Sequence, residues 1–313
     1  MSGSSTNNRP VTVGLRISHE LFEAGDARAL RVYLHAADGA GIDRLCVGDH
    51  VSFHGGRGFD GLVQATAIAA LSDLEVQTAV YLLPLRHPVP VARQVSSLAQ
   101  LAGGGFVFGV GVGGEDPNEV RMCGVDPTTR GRRMDEALPI VRRLVAGESV
   151  THRGEFFEME DARVLPVPPR PVPVVVGGRS PAALRRAGRF ADGYLGVWVS
   201  PEKMMMAIAE VEATAVAAGR IDVLWRHGIQ MWCGFGDTAT QARALVSAEM
   251  EELYHVPFER FERYTPTGSP ADIAAAARPY VDAGCTDVNL IAVAATPDEA
   301  LRCTAEVRRL LRG

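Results

Sequence analysis

The sequence predicts a parallel α/β fold closed into a (β/α)8 barrel, a TIM barrel, and three observations carry that reading. Short β-rich runs alternate with longer helical patterns along the chain, the signature of βαβ units and a parallel sheet. Eight such units fit into 313 residues, a length that suits a single barrel. Several strands are apolar on both faces, Val174-Val175-Val176 among them, as needed where helices cover one side and side chains fill the other. An open doubly wound sheet satisfies the same periodicity and remains the alternative.

In chain order, the strands are expected over residues 11–17, 44–47, 76–82, 106–110, 174–176, 193–197, 228–233 and 287–292. Helical patterns lie over residues 27–40, 62–71, 91–101, 132–146, 181–191, 203–218, 238–254, 270–283 and 297–311. Two stretches break the rhythm and read as insertions after strands four and five. Residues 113–130 are polar and carry Gly124, Pro117 and Pro127. Residues 149–173 hold a hairpin-like run at 151–157 and then a proline-rich one at 166–173. Excursions after barrel strands are where barrel enzymes build specificity.

Residues 1–10 are polar and small, without the apolar core of a signal peptide, so a disordered tail and a cytoplasmic protein are expected. Residues 11–313 show no linker and read as one domain. Hydrophobic residues at 47% and charged residues at 22% describe an ordinary globular chain. No apolar run approaches the roughly 20 residues that cross a bilayer. A net charge of −5 gives no basis for binding nucleic acid or an anionic membrane through bulk charge. Lys203 is the only lysine beside many arginines, a coding bias. The five cysteines are scattered and contain no C-x-x-C, which argues against disulfide frameworks and zinc, and no metal site is expected. Cys46 and Cys233, inside apolar runs, read as small buried hydrophobes.

Four segments bear on chemistry. Asp49-His50 follows the second strand directly, at the mouth where barrel catalysts sit; the histidine can exchange protons near neutral pH, or the pair can simply cap a loop. Gly109-Val110-Gly111-Val112-Gly113-Gly114-Glu115 ends the fourth strand and lets backbone approach a flat or anionic ligand. It is not a dinucleotide fingerprint, because the spacing differs and Asp116-Pro117 follows in place of a helix start. Gly177-Gly178-Arg179-Ser180-Pro181 places an arginine at a helix N-terminus, either a phosphate site or a capped turn. Thr78 to Pro84, then Arg86-His87-Pro88, reads as strand three and the start of a helix, structure alone.

Taken together and in this order, with Pro171 to Ala182 and Ala187 to Tyr194 added, these segments resemble the luciferase-like monooxygenase superfamily. The likeness is greater to its oxidoreductases that use the deazaflavin coenzyme F420. The resemblance implies a TIM barrel with the cofactor ring across the mouth and a homodimer. It also implies a non-proline cis peptide at Ala79-Val80, behind the ring. It further implies that Asp49 lies beside the deazaflavin and holds His50, the proton donor or acceptor. Glu115 would be a second proton-handling group and Asn118 an amide near the ring. Gly111, Gly113 and Gly114 would line the cofactor, and Gly177, Gly178, Arg179 and Ser180 its phosphate. His54 and Trp198 are candidates for the substrate pocket, whereas Trp232 is expected in the core. His54 stands where the sugar-phosphate dehydrogenases of this family carry tryptophan, and one lysine cannot reproduce their phosphate cluster, so a sugar phosphate fits poorly. The implied function is hydride transfer between F420 and a small organic substrate. An FMN-dependent monooxygenase and a barrel that binds ligand without turnover are the alternatives.

Overall fold

The helices start where the sequence supplies caps. Asp60, Ser180, Ser200, Thr238, Ser269 and Thr296 each accept a hydrogen bond from a backbone amide of the first turn that follows. A cap of this kind is worth about 1 kcal/mol. Proline follows four of them directly, where its missing N–H costs nothing. The structure, a computed structural model, describes residues 10–313. The expected disordered tail, apart from Pro10, lies outside the described residues.

The strands are β1 (Thr12–Arg16), β2 (Arg44–Val47), β3 (Glu75–Thr78), β4 (Phe106–Val110), β5 (Val150–Arg153), β6 (Glu158–Ala162), β7 (Val174–Gly177), β8 (Gly193–Val197), β9 (Gly228–Phe235), β10 (Thr267–Gly268) and β11 (Asp287–Val293). The helices are α1 (Glu20–Glu23), α2 (Ala27–Gly39), α3 (Gly61–Leu71), α4 (Pro88–Leu101), α5 (Pro117–Met122), α6 (Arg130–Val145), α7 (Pro181–Phe190), α8 (Pro201–Ala217), α9 (Ala239–Tyr254), α10 (Pro270–Asp282) and α11 (Pro297–Arg312). The strands β1, β2, β3, β4, β7, β8, β9 and β11 pair in that order, and β11 pairs back onto β1, every ladder parallel. The sheet is thus a closed eight-stranded barrel, and the open doubly wound alternative is excluded.

Inward-facing side chains fill the barrel in layers. At the floor, the fully buried Arg44 donates to Glu75 (2.6 Å) and Gln77 (2.8 Å) and lies 3.2 Å from Asp287. Arg226 donates to Glu75 from the other side at 2.7 Å. Burial alone would raise the Glu75 carboxyl, but the two guanidinium groups pull it down to about 2. The next layer is small and apolar: Cys46, Ala79 and Leu195, with Val80 packed against them. Outside the strands, the apolar faces of the helices complete the main core. Cys46, Cys233 and Trp232 are all buried, as the sequence suggests.

Three expectations need correction. Strand three stops at Thr78, because the chain then turns through the cis peptide Ala79-Val80 and only Tyr81 bridges back to Val110. Asp116-Pro117 is a helix start after all: the Asp116 side chain accepts from the Asn118 amide, and α5 follows. The second insertion does not follow strand five. Residues 149–173, with the antiparallel β5–β6 hairpin, precede β7, the fifth barrel strand, so both excursions belong to the fourth βα unit. Only the first of them opens at the C-terminal mouth. A further excursion leaves α9 and returns through β10, which pairs with the C-terminal end of β9.

Candidate active site

The mouth is organised around Val80. Gly111 and Gly177 flank it: a Cβ on either would come within 2.5 or 2.9 Å of the Val80 methyl groups, so only glycine admits this approach. Val80 itself stays partly accessible at the top of the small apolar layer. The glycines of strand four and of the β7 turn thus have a packing reason in addition to whatever they offer a ligand.

His50 stands at the rim, a quarter exposed (23%). Its ring stacks on Phe53 at 4.1 Å between centroids. Its Nδ1 lies 3.2 and 3.3 Å from the two carboxylate oxygens of Glu119 on α5. A carboxylate only accepts, so Nδ1 carries the proton and Nε2 is the nitrogen left without a protein partner among the described residues. Glu119 is buried and also accepts from the amides of Val51 (2.7 Å) and Ser52 (3.2 Å). Burial alone would raise its carboxyl; the hydrogen bond and charge of His50 and the two amides hold it below the usual range.

Asp49 does not hold His50, contrary to expectation. Its carboxylate is fully buried and saturated: Arg86 donates to both oxygens at 2.5 and 2.9 Å, and the amides of Gly61 and Leu82 donate at 2.9 and 2.8 Å. No lone pair remains for the imidazole. Burial alone would lower the Arg86 pKa, but Asp49 raises it, so the guanidinium is held charged. Asp49 therefore ties the start of α3 to the segment after the cis peptide. Arg86, read from sequence as structure alone, is the cation that makes this possible.

The neighbouring predicted residues scatter. Glu115 and Asn118 are exposed, and neither side chain makes a hydrogen bond among the described residues. Gly113 and Gly114 form the turn beyond strand four, with Gly114 beneath the guanidinium of Arg130, whose Nε is buried and unpartnered among the described residues. The acids that face the 50–54 loop are Glu119 and Asp116, which accepts from the His54 amide at 3.0 Å. The His54 ring meets His255 at 4.8 Å, joining this loop to the end of α9. Glu119 could have been found from Asp116-Pro117, since a cap and first-position proline place it in the first turn of a helix.

The opposite wall is aromatic. Trp198 follows β8 with φ +50, the left-handed region, and packs against Tyr254 (5.2 Å) and Phe261 (4.7 Å). Its indole nitrogen is buried and has no hydrogen-bond partner among the described residues. Tyr254 accepts from the Trp232 indole at 3.2 Å. Arg179 is exposed at the N-terminus of α7, its guanidinium 5.5 Å from the Trp198 ring, and it makes no ion pair among the described residues. Ser180 caps the helix through the Ala183 amide at 3.2 Å.

Two features of the site escaped the sequence reading. Arg16, the last residue of β1, donates to Nε2 of His19 at 3.2 Å and lies against Gly48, whose absent Cβ would sit 2.5 Å from its guanidinium. His19 is pushed down to about 4, by burial first and then by Arg16 and His50. A base depressed from 6.5 to about 4 contributes stability that is present above 6.5 and lost as the pH falls through that window. Denaturant titrations between those limits should show a falling stability for the native chain, by at most about 3 kcal/mol. The slope should flatten in His19→Gln; an unchanged slope would mean His19 titrates normally.

An apolar cleft of about 350 Å³ lies elsewhere, on the outer face between Val95, Val141, Val145 and the Val167–Val172 segment, and it has no part in the mouth. No helix among the described residues is long and apolar enough to cross a membrane.

A histidine–carboxylate pair at the C-terminal mouth of a (β/α)8 barrel is the arrangement of a barrel enzyme. More narrowly, the chain belongs to the luciferase-like monooxygenase family, whose model matches residues 11–311. Among its relatives is an F420-dependent glucose-6-phosphate dehydrogenase of Kineococcus radiotolerans, 29% identical over 90% of this chain and 91% of that protein. Another is a 4-hydroxyprotoasukamycin monooxygenase of Streptomyces nodosus subsp. asukaensis, 36% identical over 52% of this chain and 45% of that protein. The fold is shared with an F420-dependent secondary alcohol dehydrogenase solved with an F420–acetone adduct, at TM-score 0.83, 20% identity and coverage of 97% of this chain and 100% of that one. It is also shared with the oxygenating constituent of an FMN-bound 3,6-diketocamphane monooxygenase from Pseudomonas putida, at TM-score 0.72, 19% identity and coverage of 97% of both chains.

Proposed function

We propose that this chain is a coenzyme F420-dependent oxidoreductase that moves a hydride between the deazaflavin and a small organic substrate at the barrel mouth. The observation that carries the reading is His50, with Nδ1 fixed by an ionised Glu119 and Nε2 free at the rim. The end-to-end likeness to an F420-dependent dehydrogenase supports it. A bound deazaflavin supplies a hydride-carrying carbon in place of the reactive flavin nitrogen.

The residues present fit such a group. Val80, bared by Gly111 and Gly177, offers a flat apolar wall, with Ala79 beneath it. The N-terminus of α7 with Gly178, Ser180 and the unpaired Arg179 has the donor set for a phosphate. His50 takes or gives the substrate proton through Nε2, and Glu119 stabilises the imidazolium that forms when it takes one. Asp49 acts at one remove, fixing the segment after β3 through Arg86. Glu115 is a second proton-handling group at the lip, with Asn118 beside it, and Gly113 and Gly114 let the backbone approach the ring. His54 and Trp198 line the substrate side.

Side-by-side titrations of F420 and FMN, followed by fluorescence, test the reading. F420 should bind with micromolar or tighter affinity and FMN more weakly. Arg179→Ala should weaken F420 binding roughly 10- to 100-fold while leaving the melting temperature unchanged, since a charge-assisted contact is worth about 1.5–3 kcal/mol. The likeness to a Streptomyces monooxygenase supports a second reading, a monooxygenase, and preferential FMN binding or oxygen uptake with reduced FMN would establish its FMN-dependent form instead.

A further inference from the structure

We propose that Arg16 is a substrate-recognition residue and that the substrate taken beside His50 carries a carboxylate, bound by this guanidinium. The inference rests on the oxidoreductase reading and names its substrate class. Arg16 ends β1 at the mouth, and its guanidinium lies across Gly48, two residues before His50. Glycine at 48 leaves the space it occupies: a Cβ there would stand 2.5 Å from Nη2.

Arg16 makes no ion pair among the described residues. Its one side-chain partner among the described residues is His19, and burial pushes that imidazole down to about 4, so at neutral pH it is an uncharged acceptor. Glu249 and the Tyr254 hydroxyl lie close enough to feel the arginine's charge, but neither makes an ion pair or hydrogen bond with it. The other arginines named at the rim stand elsewhere: Arg86 is locked onto Asp49, Arg130 lies over Gly114 beyond strand four, and Arg179 stands at α7, whereas Arg16 alone lies across Gly48 beside His50. A partly buried guanidinium with free donors, adjacent to the proton-exchanging histidine, is suited to a planar carboxylate, which it can meet with two parallel hydrogen bonds. One guanidinium beside a neutral histidine balances one negative charge; a phosphate, near −1.5 to −2 at neutral pH, calls for more. The aromatic wall of Trp198, Tyr254 and Phe261 makes an aryl or alkyl body the natural companion of that carboxylate.

The test is calorimetric titration of the full chain with benzoate, benzamide and inorganic phosphate, in native, Arg16→Gln and Arg16→Lys forms, with F420 titrated into the same samples. Native protein should bind benzoate in preference to benzamide and phosphate. Arg16→Gln should lose roughly 10- to 100-fold in benzoate affinity, with unchanged F420 affinity and melting temperature. Should the Gln variant fail to fold, Arg16→Lys, which keeps the charge but not the fork, should still show a measurable loss. Equal benzoate affinity in native and variant proteins, no benzoate binding by native protein, or a preference for phosphate each overturns the proposal. Arg16-dependent benzoate binding without any F420 binding would leave the carboxylate site standing and remove the oxidoreductase reading instead.

Discussion

His50→Ala should lower kcat by roughly 10²- to 10⁴-fold, the usual contribution of a general acid or base, with little change in cofactor affinity. His50→Asn should bind cofactor equally well and turn over as poorly, because the amide keeps the contact with Glu119 but exchanges no proton. Glu119→Gln separates the two parts of the pair. It keeps the shape and removes the charge that stabilises the imidazolium formed in turnover, so kcat should fall. A purely structural histidine predicts the reverse pattern: reduced melting temperature or cofactor affinity and preserved turnover at saturation. Measuring melting temperature, F420 Kd and kcat on the three variants decides between them.

The second large effect belongs to stability. Arg86→Ala should destabilise the chain by about 3–5 kcal/mol, because it strands the buried Asp49 carboxylate without a counter-charge. Asp49→Asn should cost less, since an amide still accepts one backbone hydrogen bond and needs no charge balance. Both should also loosen the segment after β3, which hangs on the Leu82 amide bound to Asp49. Chemical denaturation of the two variants measures the difference; equal costs, or a negligible cost for Arg86→Ala, would mean that the ion pair does not anchor the mouth.

The barrel was legible because its signals are local. Strands apolar on both faces and capped helices with proline at their first position are read from a few consecutive residues, and each of the eight barrel strands overlaps its expected position, strand three alone stopping well short at Thr78. The mouth was legible only in part. Asp49-His50 is contiguous, and adjacency suggested that one holds the other. On an extended segment consecutive side chains point opposite ways, so Asp49 turns inward to Arg86, 37 residues on, while His50 meets Glu119, 69 residues on. Glu115 came from the family resemblance, whereas Glu119 becomes visible only once Asp116-Pro117 is seen to start the short α5. Arg16 left no trace in the sequence, because neither its lack of an ion pair among the described residues nor the space left by Gly48 can be read from consecutive residues. Such long-range partnerships are set by closure of the barrel, which brings the ends of β1, β2 and β4 to one rim.

In a crystal structure with F420 bound, the deazaflavin ring should lie against Val80, its phosphate at Gly177 to Ser180, and Nε2 of His50 should face the ring's reactive carbon across the substrate space. A cofactor seated elsewhere, or a ring at Val80 with His50 turned away and still bound only to Glu119 and Phe53, would contradict this arrangement.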